Sequence, residues 1–120
     1  MSDFKLDRGE SATLTIPVTR NEVPVNLTGA KAWFTVKKST RDPDEDALIS
    51  LNTVDDPLKI RFQVPATLGI IIIELDGAET NLLPQSYLPY DIQILESNGD
   101  VTTVERGTIE IERDVTVTST

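Results

Sequence analysis

The 120-residue chain contains no cysteine and no histidine. Without cysteine there can be no disulfide, no thiolate nucleophile and no zinc–thiolate centre. Without histidine it lacks the side chain that most often moves protons near neutral pH. Most hydrolase triads and most transition-metal sites need one or the other. Cations are scarce as well, with 11 Lys plus Arg against 20 Asp plus Glu and a net charge of −9. Nucleic-acid binding depends on neutralising phosphates, so this balance argues against DNA or RNA as a partner. The longest aliphatic run, Ile70 to Ile73, is far short of the roughly 20 residues that cross a bilayer. Met1 to Phe4 lacks the basic-then-apolar layout of a cleaved export signal. Six dispersed glycines form no phosphate-cradling loop, and Ser11, Ser39, Ser50, Ser86 and Ser97 lie in no nucleophile-elbow context. These absences predict a soluble, acidic, non-catalytic domain with no membrane anchor, no cofactor and no metal.

What is present is alternation with a period of two. Leu14, Ile16 and Val18 share one face; Ala32, Phe34 and Val36 do the same opposite Lys31, Trp33, Thr35 and Lys37. Ile60, Phe62 and Val64, then Tyr90, Ile92 and Ile94, then Ile109 and Ile111 repeat the pattern, with Val115 and Val117 following a possible irregularity at Arg113-Asp114. Each stretch suits a strand with one face on a core and one in water. Ile70 to Leu75 is apolar on both faces, as in a central strand or one covered on both sides.

Turn chemistry separates the runs. Arg8-Gly9-Glu10 divides a short first strand, Phe4 to Leu6, from the second. Asn21 to Pro24 and Asn26-Leu27-Thr28-Gly29 interrupt the chain before Trp33. Asn98-Gly99 favours the positive φ of a tight hairpin, pairing Tyr90–Leu95 with Val101–Arg106 or its continuation. Breaks every 10 to 15 residues or so suit a sandwich or barrel. Two short stretches read as helical: Asp42 to Asp46 as the start of a single turn, and Asp76 to Leu83 as one or two turns ending before Pro84, with Leu82 and Leu83 closing one end of the core. The expectation is an all-β, immunoglobulin-like two-sheet β-sandwich of roughly seven to eight short strands, with a partly open barrel as the alternative. Residues 1–120 then form one domain, with 116–120 a fraying tail.

Candidate sites are few. Asp42-Pro43-Asp44-Glu45-Asp46 resembles a Ca²⁺ loop, but Ala47 stands where the sharp turn needs glycine and Thr53 where the bidentate Glu belongs. It reads as a solvated loop. With 20 acidic residues in the chain, some carboxylate pair always looks suited to glycoside hydrolysis, so abundance carries no signal. Glu74, inside the apolar run, is the most interesting single carboxylate; it either needs a buried partner or faces solvent or a subunit contact. Trp33 is placed by parity opposite Phe34, outward if Phe34 is core. With Tyr87 and Tyr90 it could form a stacking platform for a sugar or anchor a protein interface; alternatively both faces are covered and Trp33 is core.

The order of these motifs resembles a known family. Phe4-Lys5-Leu6-x-x-Gly9-Glu10, Ala12 to Val18, Val25-Asn26-Leu27-Thr28-Gly29-Ala30, Trp33 to Lys38, Leu82-Leu83-Pro84, Tyr87 to Ile94, Asn98 to Val101 and Gly107 to Ile111 follow one another as in the small immunoglobulin-like domain of tailed-phage virion proteins, similar to the N-terminal domain of upper baseplate proteins. The resemblance spans about Phe4 to Val117. It implies a non-enzymatic structural protein of the virion, made in the host cytoplasm, that acts in the tail or baseplate through contacts with other virion proteins and as a homo-oligomer or in many symmetric copies. A capsid decoration protein and a carbohydrate- or host-surface-binding module are the alternatives. Trp33, Tyr87 and Glu74 are the interface candidates, together with Val115 and Val117, which could supply a contact by strand addition.

Overall fold

Alternating side chains bury one face of each strand, and in the computed structural model two sheets close on each other to do so. It describes residues 2–41, 43, 47–81, 83–84 and 87–112. The strands are β1 (Ser2–Asp7), β2 (Ala12–Pro17), β3 (Thr19–Arg20), β4 (Val23–Pro24), β5 (Lys31–Val36), β6 (Ile49–Asn52), β7 (Ile60–Phe62), β8 (Ile70–Leu75), β9 (Tyr87–Leu95) and β10 (Val101–Glu112). One short helix, α1 (Gly77–Asn81), lies between β8 and β9.

One sheet runs β1-β10-β9-β5-β6 and the other β2-β8-β7, with β3 and β4 forming a separate two-residue pair. β1 runs parallel to β10; every other pairing is antiparallel. This layout is immunoglobulin-like. Leu14 and Ile16 of β2 and Ile71, Ile73 and Leu75 of β8 face Phe34, Val36, Ile92, Ile94, Ile109 and Ile111 of the larger sheet, all buried in one core. The all-β sandwich expected from the alternation is therefore present.

Ile70–Leu75 is the central strand of the smaller sheet. Its odd-numbered residues are buried, while Ile70 and Ile72 are half-covered and Glu74 is exposed. The Asn98-Gly99 hairpin also forms. Leu95 faces Val101, Gly99 takes φ +95°, and its N–H donates to the Glu96 carbonyl at 2.9 Å. The expected helical segment after Asp76 narrows to α1, beyond which Leu83 is fully buried and Leu82 lies outside the described residues.

One run ends early. Val64 was expected on the inward face with Ile60 and Phe62, but β7 stops at Phe62 and Val64 is 87% exposed. The cause is Pro65, which has no N–H for a ladder and restricts the residue before it. The chain then makes a 3-10 turn over Ala66–Leu68 and leaves it through Gly69 at φ +67°. That turn anchors the β3–β4 hairpin: Val18 N–H donates to the Gly69 carbonyl at 2.7 Å and Leu27 N–H to the Ala66 carbonyl at 3.0 Å. At the opposite end, Thr80 of α1 is fully buried and ties the β1–β2 turn down. Its hydroxyl donates to the Glu10 carbonyl at 2.8 Å and accepts from Gly9 N–H at 3.0 Å. Of the acidic stretch Asp42 to Asp46 only Pro43 is described, and Arg113 to Thr120 also lie outside the described residues.

Candidate interaction surface

Parity in β5 and β9 determines what the larger sheet shows to solvent. Residues that alternate with Phe34, Ile92 and Ile94 point outward, so Trp33 lies on the outer face, half-buried, opposite Asn52 on one side and Gln93 on the other. Trp33 is not part of the buried core cluster. Tyr87, at the start of β9 on the same face, is 68% exposed. Trp33 and Tyr87 are nevertheless not neighbours: Trp33 is level with Gln93, and the six residues back to Tyr87 span about 20 Å at roughly 3.3 Å per residue. Tyr90 faces inward at 3% exposure, with its ring 5.1 Å from Phe4 and 6.1 Å from Phe34 between centroids. The stacking platform of Trp33, Tyr87 and Tyr90 is therefore not assembled.

Tyr87 belongs to a polar cluster at one end of the outer face. β10 brings Glu110 opposite it, and β1 sets Lys5 opposite Glu110. Lys5 Nζ lies 3.0 Å from Glu112 and 3.6 Å from Glu110, and these carboxylates hold the ammonium above its usual pKa, Glu112 most strongly. The hydrogen bond between the Tyr87 phenol and Glu110 raises the former and lowers the latter. Such exposed pairs fix local geometry more than they stabilise the fold.

Between this cluster and Trp33 the face carries a shallow concavity of about 430 Å³, lined by Thr35, Lys37, Pro89, Asp91, Arg106 and Thr108 among others. It brings two cations and one carboxylate together on a chain of net charge −9. The linear sequence shows no signal for it, because its residues come from β9, β10 and the end of β5 with the connection after it, which only the sheet register brings together.

Glu74 is on the other sheet. It is exposed and its Oε2 accepts from Arg61 Nη1 at 2.8 Å, a contact that holds its carboxyl below the usual range. Of the two readings open for this residue, the buried one fails. Val115 and Val117 lie outside the described residues. The sequence candidates thus occupy separate places and form no single pocket. Among the described residues no group of three or more acidic side chains is arranged to hold a metal ion, and no helix is long and apolar enough to cross a membrane. Asp55 and Asp56 instead brace their own turn: Asn52 Nδ2 donates to Asp55 at 3.0 Å and Asn52 N–H to Asp56 at 3.1 Å.

A small acidic sandwich with no catalytic constellation among its described residues is consistent with many structural roles, and comparison with known families decides among them. Residues 4–67, just over half of the chain, match the family model described as the BppU N-terminal domain. The chain belongs to that family. BppU N-terminal domains come from the upper protein of the phage baseplate, so this is a baseplate structural protein and a component of the virion, associated with other virion proteins. The matched residues run from within β1 through β7 and end within the 3-10 turn. No curated protein matches the chain.

Proposed function

We propose that this BppU-type domain is a non-catalytic building element of a tailed-phage baseplate, present in many symmetric copies and joined to its neighbours by the outer face of the β1-β10-β9-β5-β6 sheet. The observation that supports this reading is a half-buried tryptophan and a largely exposed tyrosine on one sheet face, in a family of structural baseplate domains. Trp and Tyr are the residues most enriched where protein interfaces concentrate their binding energy. A net charge of −9 keeps free copies apart until a complementary surface is met. The free edges of the two sheets offer further contacts by strand addition. Nothing in the family match favours capsid decoration, and Tyr90 in the core removes the aromatic platform on which a sugar-binding reading relied.

Single Trp33→Ala and Tyr87→Ala variants test the proposal. Both side chains point away from the core, so both variants should keep the wild-type circular dichroism spectrum. Each should lower incorporation into baseplates assembled in vitro by tenfold or more, the loss expected of about 1.4 kcal/mol or above at an interface hot spot. Wild-type incorporation of both variants would show that this face makes no essential contact.

A further inference from the structure

Among the described residues the sandwich is not sealed along one side. β1 covers only Gly107 to Glu112 of β10, so among the described residues nothing pairs with the outer edge of Val101 to Arg106. On the facing sheet β2 is likewise an edge strand. The four-residue connection Arg8 to Ser11 joins β1 directly to β2, which sets the two open edges side by side. β2 is also undefended. No charged residue occurs from Ser11 to Thr19, and proline enters only at its last position. The other sheet edges are guarded in the usual ways: β1 carries Lys5 and Asp7, β6 has four residues, and β7 has three with Arg61 among them. A second observation falls on the same side. The register shift between Thr103 and Glu105 places Glu105 opposite the inward-facing Ile92, and Glu105 Oε2 is buried without a hydrogen-bond partner. A carboxylate oxygen left in that position costs free energy until a donor reaches it.

Resting on the reading that this domain works through repeated protein contacts, we propose that the open edge of β2 is a strand-acceptor site, occupied by the 115–120 segment of a second copy. The segment's place and length fit. The chain leaves β10 at Glu112, whose carbonyl accepts from Arg8 N–H at 2.9 Å, four residues before β2 begins. Donor and acceptor therefore share one corner of each copy, and a two-fold axis beside that corner matches both pairs at once. Arg113 to Thr120 reach about 26 Å when extended, against about 20 Å for the six residues of β2. Val115-Thr116-Val117-Thr118 alternates threonine with an aliphatic residue as Thr13-Leu14-Thr15-Ile16 does, and neither segment carries charge. An added strand also brings backbone N–H groups to the side on which Glu105 lacks a donor.

The absence of native cysteine gives a direct test in the full chain. Thr15→Cys protein is mixed with Thr116→Cys protein and, separately, with Val117→Cys protein, so that both faces of the donor segment are sampled under mild oxidation. Cross-strand neighbours lie about 5 Å apart at Cβ, so one mixture should yield a two-chain species of twice the 13.2 kDa chain mass on non-reducing gels. Val117→Pro should reduce the two-chain mass seen by light scattering to that of one chain, while its circular dichroism spectrum stays that of the wild type. The inference is overturned by links that form only within a chain carrying both cysteines, by Thr15→Cys chains that link only to each other, or by the absence of any link. Each of these results leaves open baseplate incorporation through the outer sheet face, so failure here is distinguishable from failure of the proposed function.

Discussion

Thr80 offers the sharpest test of how the sandwich ends are held. Its side chain is fully buried, and its hydroxyl joins α1 to the β1–β2 turn through Glu10 C=O at 2.8 Å and Gly9 N–H at 3.0 Å. Thr80→Val keeps the shape and one methyl while deleting both bonds. Gly9 and Glu10 are themselves exposed, so water can partly replace the hydroxyl. The net value of a hydrogen bond, about 1 kcal/mol each, is then the appropriate measure rather than the full burial penalty. The expected loss is about 2 kcal/mol, or about 8 °C in midpoint for a domain of this size. Urea unfolding followed by the fluorescence of Trp33, the single tryptophan, reads it directly. Thr80→Ser, which keeps the hydroxyl and loses a methyl, should cost about half as much. If valine proves as stable as threonine, or serine worse than valine, then the packing of the methyl rather than the hydroxyl holds this corner, and the reasoning is refuted.

Two further perturbations follow. Gly69 takes φ +67°, and a Cβ there would meet the Val25 carbonyl at 2.7 Å and the Val18 carbonyl at 2.9 Å, both backbone. Gly69→Ala should therefore cost about 3 kcal/mol from left-handed strain and overpacking combined; calorimetry showing less than 1 kcal/mol would contradict this. Acid should also weaken the fold. Glu74 is held below its ordinary pKa by Arg61, Asp76 by the Glu79 backbone N–H and Lys59, and Glu110 by Tyr87. A carboxyl depressed in the folded state lets the unfolded chain take up protons first as pH falls. The stabilisation is thus complete above the ordinary carboxylate range of about 4 and is lost below it. Melting temperature should decline shallowly from about pH 5 to pH 3, less so in Glu74→Gln; a rise over that window would contradict the assignment.

Alternation made the core legible in advance, because a period of two leaves no choice of face once Phe34 or Ile92 is inside. The same parity set Trp33 opposite Phe34 but left open whether that second face was covered. What stayed hidden depends on register and on which sheet a strand joins, and neither is written locally. β1 leaves its sequence neighbour β2 for the opposite sheet and lies parallel to β10. Tyr87 and Trp33 share a face yet are separated by six residues of β9, a spacing fixed only when Trp33 pairs with Gln93. β6 gave little signal in four residues, and Val64 misled because its side chain fits a strand while Pro65 forbids one. The concavity at Thr35, Asp91 and Arg106 is likewise a product of pairing.

The central claim is that this sandwich is a repeated structural piece of a baseplate. Cryo-electron microscopy of purified virions, with mass spectrometry of the same particles, tests it most directly. The account predicts multiple copies of an eight-stranded sandwich ordered around the tail axis, with the Trp33 face against neighbouring protein. Particles that are complete and infectious yet hold no copy of the chain would contradict it.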